Sequence, residues 1–235
     1  MTFGHPRGNS LPGALLSQLA KTITEAGDRR DARVIRLEAS GTGPFCAGAS
    51  FDELRAIRNA EDGQRFFSGF ARVILTIIRA PKFVVARVHG KAAGGGVGLI
   101  AAADYAIATA GSAVKLSELA IGIGPFVVGP VIERKIGLGA YAAMSVDADW
   151  RSAEWARQQG LYAEVEPTLE ALDQAVDARV RGLASCSPDA MAQLKRVFWE
   201  GTEGWDELLA RRAAMSGSLV LTEPAREAIA RVAKG

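Results

Sequence analysis

Three short stretches of the chain combine residue types that could stabilise negative charge and move a proton. The first is Phe45-Cys46-Ala47-Gly48-Ala49-Ser50, small residues directly after an apolar run. With so little side chain in the way, backbone N–H groups there can approach a ligand closely, although a plain turn would have the same composition. The second is Gly94-Gly95-Gly96-Val97-Gly98. Glycines in the first turn of a helix leave its unsatisfied N–H groups bare and bring the positive helix end to bear on an anion; tight helix packing would also call for glycine. The third is Glu118, within Lys115-Leu116-Ser117-Glu118-Leu119-Ala120. A carboxyl among apolar neighbours acquires a raised pKa and can act as general base or acid. A solvated or ion-paired Glu at a strand end would do neither.

Other chemistries find little support. Gly94–Gly98 lacks the G-x-G-x-x-G of a dinucleotide site and the Gly-Lys-Ser/Thr of a P-loop. That leaves an oxyanion site, where preorganised N–H groups stabilise charge on an ester or thioester oxygen. The two histidines, His5 and His89, adjoin no convincing Ser–acid pair, and His and Cys do not occur at metal-ligand spacing. No metal is expected, and His89, inside a buried strand, reads as structural. Arg29-Arg30 and Arg211-Arg212 read as solvated helix ends. Cys46 and Cys186 cannot make a disulfide framework, and the opening residues do not read as a targeting sequence, so a reduced, cytoplasmic setting is expected.

The elements that must position these residues alternate. Met1–Pro6 reads as the end of a strand entering a turn, so the true start is expected upstream, or an edge strand lost. Apolar spacing predicts a helix over 11–26, and Val34–Ala39 reads as a strand before the glycine-rich loop 41–50. A helix follows over 61–79, with Phe66, Phe67, Phe70, Val73, Ile74 and Ile77 on one face and Pro81 ending it. Phe83–His89 is a buried strand, 90–103 a strand turning into a buried glycine-led helix, and 105–108 and 113–116 are short strands. This order argues for an α/β fold. From Pro130 helical patterns dominate: 131–136, 140–146, 153–159, 169–184, 189–200, 205–220 and 225–232. Their apolar faces exceed what one helical tail can bury. The expected division is therefore an α/β core over 1–129 and a mainly helical subdomain over 130–235 that packs on it and on neighbouring subunits.

Composition sets the limits. Of 235 residues, 49% are apolar and 23% charged, with 28 Lys and Arg against 26 Asp and Glu. Such a chain is too apolar for disorder, too balanced in charge for an obvious nucleic-acid binder, and free of any apolar run of membrane length. The 26 glycines exceed the usual share of about 7% and need a reason.

Taken together, the motifs resemble the crotonase superfamily, the enoyl-CoA hydratase/isomerase family. Asn9-Ser10-Leu11 stands where the family has Asn-Ala-Leu, Phe45–Ser50 matches its F-x-x-G-A-D loop, and His89–Gly96 matches x-G-x-A-x-G-G-G. Ser152-Ala153-Glu154-Trp155-Ala156 with Gly160-Leu161 and Val165 matches the later S-A-x-E-A…G-L-V-x-x-V stretch. The resemblance implies a spiral of β-β-α units with a C-terminal helical oligomerisation subdomain, and assembly as a homotrimer or dimer of trimers. It implies an acyl-CoA thioester substrate and no separate cofactor, coenzyme A being part of the substrate. It further implies that the N–H groups of Ala49 and Gly95 hold the thioester oxygen as an enolate develops, with Ala47, Gly48, Gly94, Gly96, Gly98 and Phe126 around the substrate and Glu118 as acid/base.

Three departures from the pattern bear on the reaction. The family's first Glu, three residues after the oxyanion glycine, is Gly98 here; Ser50 replaces Asp; and Phe126-Val127-Val128 follows Pro125 where hydratases are glycine-rich. Hydration calls for water held between two carboxyl groups, whereas one carboxylate suffices to shuttle a proton between carbons. Isomerisation is the mechanistically favoured expectation, and Gly98→Glu is expected to raise hydratase activity. Decarboxylase or thioesterase chemistry on the same scaffold, or a pseudoenzyme that only binds CoA thioesters, are the alternatives.

Overall fold

The computed structural model describes residues 1–232. Helix α1 spans Gly13–Asp28 and α3 spans Ala60–Arg79, separated by strand β2 (Ile35–Ala39) and a short helix α2 (Phe51–Ala56). The apolar face expected on α3 is buried as read, and Asn59 caps its start by accepting from the Asp62 N–H at 2.8 Å. Helix α1 starts two residues later than its periodicity suggests. Leu11 precedes Pro12, which disfavours helical geometry in the residue before it, and Leu11 pairs in β fashion with Ala49 instead.

The main sheet is five-stranded and wholly parallel, in the order β1 (Thr2–Phe3), β2, β3 (Val84–Val88), β5 (Tyr105–Thr109) and β8 (Glu164–Glu166). Its centre, β3, is buried at four of five positions, as a strand covered on both faces must be. A smaller sheet joins β4 (Ala92–Ala93), β6 (Ala113–Lys115) and β7 (Arg151–Ser152). Helix α4 (Gly95–Ala102) is buried along its whole length.

Beyond residue 129 come α5 (Gly129–Asp147), α6 (Ala153–Gln158), α7 (Leu169–Ala184), α8 (Pro188–Phe198), α9 (Trp205–Leu219) and α10 (Glu223–Val232). The two helices expected over 131–146 run on as the two halves of α5, with a kink between them at Gly137, whose φ of 80° and ψ of 157° are not helical. Strands β7 and β8 are not legible in the sequence. Each is two or three residues long, and β8 is Glu-Val-Glu, held at the sheet edge by the Tyr105 hydroxyl and Arg179, both bonded to Glu164. Helix α8 is tied beneath the sheet by a buried ion pair. Lys195 Nζ lies 2.7 Å from Asp104 Oδ2 and donates to the Lys82 carbonyl at 2.9 Å, while Asp104 Oδ2 also accepts from the Val84 N–H at 2.7 Å.

Candidate active site

The two small-residue loops run parallel and in register. Cys46 pairs with Ala92, its N–H donating to the Lys91 carbonyl and its carbonyl accepting from Ala93. Ala92 and Ala93 in turn pair with Val114 and Lys115. Ala49 lies three residues beyond Cys46, Gly95 three beyond Ala92, and Glu118 four beyond Val114. One register therefore sets Ala49 and Gly95 level, with Glu118 one residue further on, just past the end of the paired segments.

Loop 45–50 is braced from its other side. Asn9, at φ 56°, is buried, and its side-chain amide donates to the Ser40 and Pro44 carbonyls, each at 2.9 Å. Asparagine is among the few residues that tolerate this backbone region. The Leu11 N–H donates to the Gly48 carbonyl at 2.8 Å, and the Leu11 carbonyl accepts from Ser50. In that pairing the flanking residues make the bonds and Ala49 keeps its own N–H. Neither Ala49 nor Gly95 donates a backbone hydrogen bond to any described residue. Both line a pocket, together with Ala47, Gly48, Gly94, Glu118 and Phe126.

Each glycine of the second loop has its own physical reason. Gly94 sits at φ 51°, ψ −114°, outside the range of other residues, and a Cβ there would lie 2.8 Å from Glu118 Oε1. A Cβ on Gly95 would strike the Phe70 ring, and one on Gly96 would lie 2.6 Å from the Cys46 Cβ. Gly96 and Gly98 are not on the pocket wall; both are buried behind it. A Cβ on Gly98 would lie 2.6 Å from Val128 Cγ1 and 3.0 Å from its Cβ. A glutamate at position 98 would therefore meet Val128, which already fills the space, so the gain in hydratase activity expected of Gly98→Glu depends on Val128 moving.

The Glu118 carboxyl has Oε2 buried with no hydrogen-bond partner among the described residues. Burial pushes its pKa up to about 7, against smaller opposing contributions from the backbone N–H groups of Glu118 and Ser117. It is the one ionisable side chain among the described residues lining the pocket. Apart from Glu118, the side chains around it are chiefly apolar: Phe67 and Phe70 from α3, Leu54 from α2, and Ile121, Ile123, Phe126, Val127 and Val128 from the segment leading into α5. Two hydroxyls also line it, Ser117 and Ser216. Ser216 is not among the residues that the sequence singles out, although a serine among Leu209, Ala213 and Val220 on an otherwise apolar helix face is a visible signal.

His89 is buried outside the pocket, its ring edge-on to Phe45, and burial lowers its pKa. Burial raises the Cys46 thiol to about 12, so it stays protonated, accepting a 3.4 Å contact from the Gly48 N–H.

Two N–H donors that meet beside a buried carboxyl make a site for a carbonyl oxygen that gains charge while a proton moves. The family model described as enoyl-CoA hydratase/isomerase matches residues 1–228. The chain belongs to the enoyl-CoA hydratase/isomerase family. It is 30% identical over 224 residues to a probable enoyl-CoA hydratase of Rhodobacter capsulatus, covering 94% of this chain and 85% of that protein. It is also 27% identical over 117 residues to the ethylmalonyl-CoA decarboxylase of Gallus gallus, where the match spans 50% of this chain and 39% of the relative. Among solved structures, a putative enoyl-CoA hydratase from Mycobacterium avium paratuberculosis K-10 superposes with a TM-score of 0.87 at 27% identity, covering 99% of this chain and 90% of that one. The fold is accordingly the crotonase-type α/β fold with a helical C-terminal region. Members of the enoyl-CoA hydratase/isomerase family act on acyl-CoA thioesters.

Proposed function

We propose that this family member moves a double bond along a short acyl-CoA, using Glu118 as its single acid/base. The observation that carries this reading is the pocket wall: one carboxyl, no second one among the described residues, and Val128 packed over Gly98 where another acid would have to stand. The Glu118 carboxylate takes a proton from C2 of a 3-enoyl thioester. The C–H electron pair delocalises into the thioester, and its oxygen, now an enolate, is held by the Ala49 and Gly95 N–H groups. The carboxylic acid so formed returns the proton at C4, leaving the 2-enoyl thioester. No water is consumed, which suits the apolar wall of Phe126, Val127 and Val128. The pocket is half open and narrow, with about 50 Å³ of free space, which favours an acyl group of few carbons.

Glu118→Gln is expected to lower kcat for 3-enoyl-CoA conversion by about 10³-fold while leaving thioester binding nearly intact. Retained turnover in that variant would overturn the assignment. Decarboxylation is the second reading, favoured by the decarboxylase among the relatives and by a pocket that, among the described residues, has no cation to hold a carboxylate. There the enolate arises by loss of CO2 and Glu118 acts as the acid. Release of CO2 from malonyl-type thioesters separates the two.

A further inference from the structure

Ser216 lies on the buried stripe of α9 with Leu209, Ala213 and Gly217, and is itself 1% exposed. Its position leaves little freedom. A Cβ on Gly63 would lie 2.6 Å from the Gly217 Cα, and one on Gly217 would lie 2.5 Å from the Gln64 N. The backbones of α3 and α9 therefore touch one residue away from Ser216, and α9 cannot roll to carry it elsewhere. Several other helical hydroxyls in this protein are satisfied by their own helix. Thr24, Thr76 and Ser145 each donate to the carbonyl four residues back, at 3.1, 2.8 and 2.8 Å. The Ser216 hydroxyl makes no such bond and none to any other described residue, yet it lines the pocket that holds Glu118 and the two N–H groups. A hydroxyl that faces a binding pocket and has no protein partner there can find one in what binds.

We propose that Ser216 hydrogen-bonds an uncharged oxygen on the acyl chain, a hydroxyl or keto group beyond the reacting carbons. The inference rests on the thioester chemistry proposed above. The thioester oxygen is already provided for by Ala49 and Gly95, so the group that Ser216 meets lies elsewhere on the acyl group. No Lys, Arg or His lines the pocket among the described residues, so that group carries no charge. Ser117, the other pocket hydroxyl, is half-buried beside Glu118 and belongs to the reacting end.

The test compares 5-hydroxypent-3-enoyl-CoA with hex-3-enoyl-CoA, in which a methyl group replaces the hydroxyl. The wild-type enzyme is expected to prefer the hydroxylated ester by about tenfold or more in kcat/KM, because a pocket built to hydrogen-bond a hydroxyl discriminates against its absence. In Ser216→Ala, which keeps the Cβ and the helix propensity, that ratio falls to near one. A wild-type ratio of one or less, or a ratio that survives the substitution, overturns the proposal. If wild type converts neither ester, the isomerisation reading fails alone. The dissociation constants of the two esters, measured on both proteins by titration calorimetry, then decide the role of Ser216 by the same ratio.

Discussion

Glu118 has a folded-state pKa near 7, which gives it a sign that can be measured in two ways. As the base of an isomerisation it must be ionised, so kcat/KM rises with pH through about 7 and then levels off. As the acid of a decarboxylation it must be protonated, and the same limb falls above 7. A pH–rate profile on each substrate class distinguishes the readings without any variant. Stability supplies the second measurement. Between the ordinary Glu value of 4.5 and about 7 the folded protein keeps a proton that the unfolded chain has released, so stability drops as pH rises across that window and stays reduced above it. Glu118→Gln is therefore expected to be more stable than wild type at about pH 8, by at most about 3 kcal/mol, with the difference vanishing toward pH 4.5. Denaturant midpoints at several pH values check this; a gain that does not vary with pH would mean that burial of the charge is not its cause. The residues themselves are legible in the sequence, since small residues and one acid among apolar neighbours are local signals. What cannot be read there is which side chain fills a vacancy. Nothing near Gly98 in sequence points to Val128, thirty residues on. The structure makes Gly98→Glu on its own a destabilising change, by about 1–3 kcal/mol from overpacking, with no gain in hydration. Gly98→Glu with Val128→Gly is expected to recover stability and to be the variant in which 3-hydroxyacyl-CoA first appears from a 2-enoyl-CoA. Hydratase activity in the single variant would show that Val128 yields.

At the scale of elements, strong periodicity is enough for the long helices, and short pieces stay hidden for identifiable reasons. Helix α2 carries a start signal, Ser50-Phe51-Asp52-Glu53, in which the Ser50 hydroxyl accepts from the Glu53 N–H at 3.4 Å. Its six residues offer no period to confirm it. The Glu53 carboxylate then turns to the start of α1, accepting from the Gly13 N–H at 2.8 Å, a pairing forty residues apart that no local pattern encodes. The Lys195–Asp104 pair belongs to the same class. A lysine in the last turn of α8 reads as a surface residue, and yet it is 2% exposed. Because both charges are buried against each other beside the starts of β3 and β5, removing one strands the other. Lys195→Ala is expected to cost about 3–5 kcal/mol of folding stability. Changing both residues, as Lys195→Met with Asp104→Asn, should cost less than the single change. A thermal-unfolding double-mutant cycle measures the difference, and additive losses would show that the pair is not coupled.

For the whole molecule, the helices after residue 129 leave apolar surface that their own chain does not cover. Leu138 is 63% exposed, Val146 73% and Val197 55%. The Arg134 guanidinium donates to the Phe198 and Glu200 carbonyls, so the first half of α5 meets the end of α8; Leu138 follows the kink at Gly137 and Val197 lies in the last turn of α8. Large exposed apolar groups on a chain with a net charge of only +2 favour association over solvation. If these side chains lie in the trimer that the crotonase-like motifs imply, sedimentation equilibrium should return three times the 24.8 kDa chain mass, or six times it for paired trimers. Leu138→Glu with Val197→Glu is expected to shift the distribution toward the monomer, because a carboxylate facing an apolar partner surface loses its hydration without gaining a countercharge. Neither side chain lines the pocket. Affinity for a CoA thioester that persists in the dissociated protein would show that one chain forms the site; affinity lost with the oligomer would show that a neighbouring copy completes it. A monomeric wild type would rule out the trimer for this chain.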